Sequence, residues 1–221
     1  MVPQTFSISH LNLNQEQKDI LVGSLLGDGN LQTFSKGRTW RYRAVHQKEH
    51  RQYIEYKLKI LSPLCSTGLL SLQLIDLLAN GSKATRERLY FNTRVHTSLK
   101  HFANLFYRFN SNTNSFQKVI PTRLEKILTP RALAIWYQDD GALKWKNHCS
   151  ALRICTESFK FEDQNRMIRV LNKLYGVSAR VVPHRTRGTY RIYIPASSSL
   201  IFINLIKPYI LPCMLYKLPQ I

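Results

Sequence analysis

An internal repeat is the feature that most limits how this chain can fold. The stretch LVGSLLGDG at 21–29 aligns with LAIWYQDDG at 133–141, and both are apolar runs that end in Asp-Gly. Two further pairs keep the same order along the chain, YRAVHQ at 42–47 with LRICTE at 152–157 and RLYFN at 88–92 with YRIYI at 190–194. Self-similarity of this kind indicates that one structural unit occurs twice.

Each half shows the same succession of helical and strand periodicities. In the first half, apolar residues at helical spacing near 15–28, 49–62 and 97–109 alternate with pairs of short strand patterns. The order recurs in the second half. It predicts an α+β fold of two pseudo-symmetric α-β-β-α-β-β-α repeats with antiparallel sheets. The predicted organisation is a first repeat at 1–110, a connector at 111–128 and a second repeat at 129–221.

The predicted strands alternate apolar and basic residues. Leu89 and Phe91 fall on one face of their strand, and Arg88 and Tyr90 fall on the other. A merely solvated face is the alternative for any single strand. Because the pattern recurs in both halves with Lys and Arg far outnumbering Asp and Glu, it favours sheets that cover a core on one side and meet phosphates and base edges on the other.

Net charge indicates the kind of partner. The 221 residues include 32 Lys and Arg against 13 Asp and Glu, a formal net charge of +19. A polyanion fits this balance, and nucleic acid is the first expectation, with a ribosomal-type protein or a membrane-surface binder as the alternatives. The charge is spread along the chain among aromatic residues, which argues against a basic disordered tail. No apolar stretch approaches the roughly 20 residues of a membrane helix, and no targeting segment is recognisable.

The four cysteines do not suggest a metal site. Cys65, Cys149, Cys155 and Cys213 form no CxxC pair and have no histidine at zinc spacing. We expect reduced thiols with a packing role, which implies a reducing compartment.

Asp28 and Asp140 are the candidate chemical residues. Each ends an apolar helix just before a glycine, at equivalent places in the two repeats. Phosphodiester hydrolysis with a divalent metal needs hard oxygen ligands, which carboxylates supply. A single Asp-Gly at a helix end usually serves only to end the helix, but two in equivalent places favour a functional role. Gly23 and Gly27 would let the two helices approach closely, and parallel packing would bring the aspartates together.

These residues resemble the paired signature helices of LAGLIDADG homing endonucleases, whose single-chain members carry two copies and act as pseudo-dimers. The resemblance extends over most of the chain, through 21–31, 118–121, 128–141 and 199–219. It implies a monomer that makes a double-strand break at a long DNA target, leaving short 3′ overhangs. It also implies a saddle of sheets on the DNA, signature helices packed at the interface and action in a mitochondrion or chloroplast.

The resemblance also implies roles for individual residues. Asp28 and Asp140 match the metal ligands, with Mg²⁺ or Mn²⁺ as the expected ion, and Asp139 is expected to support the helix end or a metal ligand without being the main ligand itself. Lys118 and Lys217, each ahead of a proline segment, match basic residues near the scissile phosphates. Gln47 and its counterpart Glu157 match a residue that positions water. DNA contacts are expected from Arg41, Arg43, Arg86, Arg88, Lys144, Lys146, Arg153, Arg180, His184, Arg185, Arg187 and Arg191.

Two other functions fit the same scaffold. One is an RNA-splicing cofactor, or maturase, and the other is a transcriptional regulator derived from the fold. Loss of a signature aspartate would favour either of them, and this chain keeps both. In the second signature, Ile135, Trp136 and Tyr137 replace the small or aliphatic residues of the first. The contact between the helices is therefore expected to be asymmetric, with unequal cleavage of the two strands.

Overall fold

The chain runs twice through the same order of elements, with a hairpin between the two runs. The first run is α1 (Gln15–Leu26), β1 (Asn30–Gln32), β2 (Arg41–Gln47), α2 (Arg51–Leu61), β3 (Leu70–Leu77), β4 (Lys83–Asn92) and α3 (Thr97–Phe106). The hairpin is β5 (Tyr107–Asn110) and β6 (Ser115–Lys118). The second run is α4 (Pro130–Asp140), β7 (Gly141–Leu143), β8 (Leu152–Ile154), α5 (Phe161–Tyr175), β9 (Arg180–Pro183), β10 (Tyr190–Ile194) and α6 (Ala196–Ile206). The predicted α+β class and repeated order are confirmed.

The computed structural model describes residues 12–77, 83–145, 149–186 and 188–219. Contacts divide the chain into two units. The first holds the described residues up to Lys18 together with Asn30–Asn104, and the second holds Asp19–Gly29 together with the described residues from Leu105 onward. The C-terminal two thirds of α1 therefore belong with the unit that contains α4. Within the described residues, no helix is long and apolar enough to cross a membrane.

Each unit contains one four-stranded antiparallel sheet, and the two sheets have the same topology. Their strand orders are β1-β2-β4-β3 and β7-β8-β10-β9. Along β2, Tyr42 and Ala44 are buried while Arg41 and Arg43 are half-buried on the opposite face. This alternation is the one expected of a sheet that covers a core on one side only. The predicted separation of apolar and basic faces is confirmed for this strand.

Strand registers relate the two sheets to each other once the two Asp-Gly ends are aligned. Counted from the two Asp-Gly ends, Asn30 and Ala142 occupy the same position in their repeats. Asn30 pairs with Arg43 in the first sheet, and Ala142 pairs with Arg153 in the second. Arg43 therefore corresponds to Arg153, as the alignment of β2 with β8 predicts.

The predicted match between β4 and β10 is wrong by one residue. Arg43 pairs with Asn92, whereas its counterpart Arg153 pairs with Tyr193. Asn92 and Tyr193 are thus equivalent, and 190–194 corresponds to 89–93 rather than to 88–92. A shift of one residue exchanges the two faces of a strand. Similar Tyr and Arg residues on adjacent positions misled the alignment.

Capping groups fix where the two signature helices begin. Ahead of α1, the Gln17 backbone N–H donates to Asn14 Oδ1 at 2.9 Å, and the Asn14 N–H donates to Gln17 Oε1 at 3.0 Å. This reciprocal pair satisfies donors that a helix start leaves open. At α4, Thr129 Oγ1 accepts from the Ala132 N–H at 3.1 Å, and Pro130 occupies the first turn.

The hairpin between the runs lies partly in the predicted connector and was not predicted. The helical pattern expected to reach residue 109 ends at Phe106, because Tyr107–Asn110 pair with Ser115–Lys118 as strands. The rings of Phe109 and Phe116 meet across the hairpin with centroids 5.2 Å apart. Aromatic residues in that stretch continue the apolar pattern of α3, so periodicity alone does not show where the helix stops. The hairpin matters because its last residue is Lys118.

Candidate active site

The two signature helices contact each other directly, backbone against backbone. A Cβ added at Gly23 would lie 2.4 Å from the Ala132 carbonyl oxygen and 2.6 Å from Ile135 Cβ. A Cβ added at Gly27 would lie 2.6 Å from Asp139 Cβ. Real Cβ atoms cannot approach so closely, so only glycine fits at these two positions of α1. The predicted close approach at Gly23 and Gly27 is confirmed.

The helices run parallel, because hydrogen bonds tie their starts together and their ends together. Near the start, Thr129 Oγ1 donates to Asp19 Oδ1 at 2.8 Å. At the end, the Asp28 backbone N–H donates to Asp139 Oδ2 at 3.3 Å. Parallel packing therefore brings the two Asp-Gly ends to one place, as predicted.

Three carboxylates meet at these ends. The nearest carboxylate oxygens of Asp28 and Asp139 lie within 4.8 Å of each other. Asp28 is exposed, while Asp139 and Asp140 are half-buried. Burial chiefly, together with the charges of Asp28 and Asp139, raises the pKa of Asp140 from 3.8 to about 8. Acidic groups crowded in this way repel one another, and a nearby cation relieves that repulsion.

Lys118 and Lys217 stand at the same two helix ends. Lys118 Nζ donates to the carbonyl oxygens of Gly27 and Gly29 at 3.0 and 2.8 Å. Lys217 Nζ donates to those of Gln138 and Asp139 at 2.5 and 3.0 Å. Each lysine thus covers carbonyl groups that a helix C-terminus leaves unpaired. The structure brings both predicted lysines to the acidic cluster.

Burial and the nearby carboxylates shift the pKa values of the two ammonium groups in opposite directions. Burial lowers the pKa of Lys118, while the carboxylates of Asp140, Asp139 and Asp28 raise it. Burial also lowers the pKa of Lys217, and the same three carboxylates oppose that shift. In turn, both lysines lower the pKa of Asp140. The cluster is therefore a coupled set of three acids and two bases.

The C-terminal segment that delivers Lys217 is anchored to α4. Gln138 is buried, and its amide donates to the Tyr209 carbonyl at 3.3 Å while its Oε1 accepts from the Leu211 N–H at 2.9 Å. The Tyr137 hydroxyl donates to the Lys217 carbonyl at 2.8 Å. The bulky second signature, which departs from the first, thus serves to hold this segment. The sequence shows that the second signature departs from the first, but it does not predict that the departing residues hold the C-terminal segment.

The two residues that were predicted to position water lie in different units of the structure. Gln47 is the exposed last residue of β2, in the first unit, and its position relative to the carboxylates stays a prediction. Glu157 is in the second unit and forms an ion pair with Arg191. It is connected to the acidic cluster through the backbone, because the Cys155 N–H donates to the Asp140 carbonyl at 3.0 Å. The sequence did not predict the Glu157–Arg191 pair.

Basic residues of the second sheet line a groove of about 450 Å³. Five of the predicted DNA-binding residues are among its walls. Arg180 lies beside the groove, with its guanidinium 5.2 Å from the Tyr193 ring centre. Two predicted residues, Lys146 and Arg187, lie outside the described residues. The groove is lined by Lys144, Arg153, Val182, Pro183, His184, Arg185, Arg191 and Tyr193.

The first sheet also presents arginines on its open face, and two of them lie over aromatic rings. Arg41 lies over the Phe34 ring at 4.8 Å and donates to Gln32 Oε1 at 3.1 Å. Arg43 lies over the Tyr90 ring at 4.5 Å. Two more predicted residues, Arg86 and Arg88, occupy β4. Aromatic support of this kind holds a long side chain in place without neutralising its charge.

Comparison with known proteins finds relatives over most of this chain. The model of the LAGLIDADG DNA endonuclease family matches residues 18–202. DNA endonuclease I-ChuI of Chlamydomonas applanata is 45% identical over 210 residues, which cover 94% of this chain and 96% of that protein. The cytochrome b mRNA maturase bI2 of Saccharomyces cerevisiae is 32% identical over 211 residues, covering 93% of this chain and 48% of the maturase.

Two solved structures share the fold. Homing endonuclease I-WcaI bound to its DNA recognition sequence has a TM-score of 0.81 and 23% identity, over 100% of this chain and 96% of that one. I-DmoI in complex with DNA and Mn has a TM-score of 0.50 and 19% identity, over 88% of this chain and 97% of that one. At these identities the likeness shows a common α+β fold.

Proposed function

This chain belongs to the LAGLIDADG DNA endonuclease family, and we infer that it is a homing endonuclease that cuts double-stranded DNA at a specific long site. The observation that carries the inference is the convergence of two parallel signature helices on one cluster of Asp28, Asp139 and Asp140. I-ChuI, which covers nearly the whole chain at 45% identity, supports the same reading. Short 3′ overhangs are the expected products.

The acidic cluster fits a divalent cation. All three acids offer carboxylate oxygens, the donors that Mg²⁺ and Mn²⁺ prefer. Burial, and after it the charges of Asp28 and Asp139, raise the pKa of Asp140, and a bound cation would favour its ionised form. Asp28 and Asp140 are the proposed ligands. When bound, the ion supplies a Lewis acid for the phosphate and lowers the pKa of a water molecule.

The lysines have a second task beside closing the helix ends. An ammonium group has three donors, and the carbonyl bonds of Lys118 and Lys217 use two on each. The third can be donated to a phosphate oxygen. A preorganised cation aimed at the charge that develops on the phosphate speeds hydrolysis. We therefore assign both lysines to transition-state stabilisation, and Gln47 and Glu157 to holding water.

The sheets supply the DNA-binding surface. Arginines supported by aromatic rings lie on the open face of the first sheet, and a basic groove lies on the second. Phosphate contacts from such residues provide affinity, while base contacts provide sequence discrimination. I-WcaI, a neighbour in fold, was solved bound to its recognition sequence. Double-stranded DNA is thus the proposed partner, with the chain acting as a monomer.

Cleavage of a selected site tests the proposal. A target isolated from a randomised DNA library should be cut on both strands in Mg²⁺. Asp28→Asn and Asp140→Asn should each abolish the double-strand break, because neutral amides are poor ligands for the ion. Binding in Ca²⁺ should persist in both variants, since affinity comes mainly from basic residues. Full cleavage by either variant would overturn the ligand assignment.

A maturase function is the second candidate, and one observation supports it. The cytochrome b mRNA maturase bI2 of yeast is 32% identical to 93% of this chain. Splicing of an intron by the purified protein at low Mg²⁺, with Asp28→Asn as active as the wild type, would establish binding to RNA as a separate activity. Absence of DNA cleavage together with such splicing would make it the main one.

Two finer expectations remain proposals. One is that the nearest family member is the monomeric mitochondrial endonuclease of the yeast omega intron. The other is that the protein acts in a mitochondrion or chloroplast. Both rest on the family resemblance, and neither affects the chemistry of the site.

A further inference from the structure

The seventh positions of the two signatures carry different residues, and the difference falls inside the helix contact. Gly27 stands in the first signature and Asp139 in the second. The Asp139 side chain occupies the space in front of Gly27, where an added Cβ would come within 2.8 Å of Asp139 Oδ2. The first signature has no side chain to place in return. In this part of the contact, a side chain of the second signature helix therefore packs against the first, and the first contributes no side chain in return.

The two signature aspartates are also held differently. Asp140 is the last residue of α4, so its own helix fixes its backbone. Asp28 lies beyond α1, which ends at Leu26. Its backbone N–H reaches across and donates to Asp139 Oδ2 at 3.3 Å. The position of Asp28 is thus set in part by a side chain of the other signature.

We propose that Asp139 is a positioning residue that holds Asp28 through this hydrogen bond. The two cleavage reactions therefore differ in the residues on which they depend. The proposal rests on the nuclease function inferred above. Asp139 acts through its acceptor oxygen and through its fit against Gly27, and its charge is secondary. Asp28 thus depends on Asp139 in addition to the backbone bonds of its own turn, while Asp140 is part of its own helix.

Two substitutions separate the acceptor from the charge. Asp139→Asn keeps an acceptor oxygen of the same reach and the same fit against Gly27 but removes the charge. Asp139→Gly removes the acceptor oxygen, the fit against Gly27 and the charge. The measurement is single-turnover cleavage of a duplex labelled on both strands, so that each strand gives its own rate. The ratio of the two rates is the readout, since a general loss of folding lowers both together.

Asp139→Gly should change the ratio of strand rates by about tenfold, because a small displacement of a ligand is costly for a reaction that needs alignment. Asp139→Asn should restore the ratio toward that of the wild type. If the two variants shift the ratio equally, the charge of Asp139 matters and the positioning role is wrong. If Asp139→Gly leaves the ratio unchanged, the hydrogen bond has no function and the proposal fails as well.

Glu162→Gln is the matched control, because it removes one carboxylate charge from an exposed residue of α5 in the same unit. Its strand ratio should equal that of the wild type. Binding in Ca²⁺ and thermal melting of each variant show whether the fold is kept. Failure of the wild-type protein to cut any DNA would refute the proposed function itself. A normal wild type with an unaltered ratio in Asp139→Gly would refute only the role of Asp139.

Discussion

A Cβ added at Gly23 would stand 2.4 Å from the carbonyl oxygen of Ala132, so the backbones of the two signature helices touch at this point. The neighbour is main chain and cannot swing aside. We predict that Gly23→Ala destabilises the protein by about 1–3 kcal/mol, the usual cost of overfilling a packed interior. Thermal or urea unfolding measures it. Gly68→Ala, where an added Cβ meets nothing within 4 Å, is the control and should be close to neutral.

A clash at Gly27 should depend on Asp139. Gly27→Ala brings a Cβ within 2.6 Å of Asp139 Cβ and should lower the melting temperature. Combining it with Asp139→Gly removes the atoms in its way. The double variant should therefore be more stable than additivity of the two single changes allows. Strict additivity would mean that the two positions do not meet in solution.

Stability should depend on pH through Asp140. Burial chiefly, and then the charges of Asp28 and Asp139, raise its pKa from 3.8 to about 8. The native state therefore holds this proton more tightly than the unfolded chain does. The stability that the proton contributes is complete below the unfolded pKa and is lost progressively as the pH rises through the folded one. Asp140→Asn cannot ionise, so its advantage in melting temperature over the wild type should grow as the pH rises from about 4 to 8. An advantage that is constant with pH would contradict the raised pKa.

Divalent ions should restore the stability that the wild-type protein loses when Asp140 ionises. At pH near 8, Mg²⁺ or Ca²⁺ that binds only the folded state should raise the melting temperature in a concentration-dependent way. Asp140→Asn and Asp28→Asn should show a much smaller rise. Chelation should return the wild type to its lower value. An equal rise in all three proteins would place ion binding elsewhere.

The two lysines should be needed for cleavage and not for binding. Lys118→Met and Lys217→Met remove a cation from the acidic cluster, and each should slow cleavage by about 10²-fold or more. Affinity for the target in Ca²⁺ should change little, because we expect many other basic residues to contact phosphates. Lys173→Met, on the exposed side of α5, is the control. Loss of binding that parallels the loss of cleavage would indicate that the lysines belong to the DNA-binding surface.

Some arginines should read bases while others contact only phosphates. Arg43, Arg88 and Arg191 project from mid-strand, and we predict that one or more of them recognises guanine. Replacement by Ala should then cost about 1–3 kcal/mol at one or two base pairs. Binding of each variant to all single-base changes of the target, at two salt concentrations, makes the distinction. A uniform loss at every base pair would reduce the sheets to an electrostatic surface. Because Arg191 also pairs with Glu157, its variant should lose cleavage as well.

The sequence predicted those features that repeat with a clear period. The two Asp-Gly ends and the glycines at 23 and 27 mark both the helix contact and its acidic end. Lys118 and Lys217 were found through the family resemblance, because a proline two or three residues further on does not by itself distinguish a lysine from the others of a basic chain. Their partners are backbone carbonyls, and no residue type in the sequence marks those.

Features that depend on tertiary contacts escaped prediction. The sequence predicts only a supporting role for Asp139, at the helix end or beside a metal ligand, and the structure shows that it packs against Gly27 and contacts Asp28. The one-residue error between β4 and β10 arose because similarity over five residues cannot fix a strand register. Hydrogen-bonded neighbours fix it. The Glu157–Arg191 pair joins residues 34 positions apart, on β10 and beyond the end of β8, which only the sheet brings together.

Lys118 and Lys217 each return to the signature helix with which their own half of the chain began. Lys118 arrives after α3 through the hairpin, and Lys217 arrives after α6. This sets where the chain can be cut and rejoined. A hybrid enzyme that takes its first half from this protein must extend through Lys118, past the limit at 110 that the repeat pattern predicts. A chain stopped after α6 would keep every α-helix and strand of the second half, yet it would leave the end of α4 without its cation.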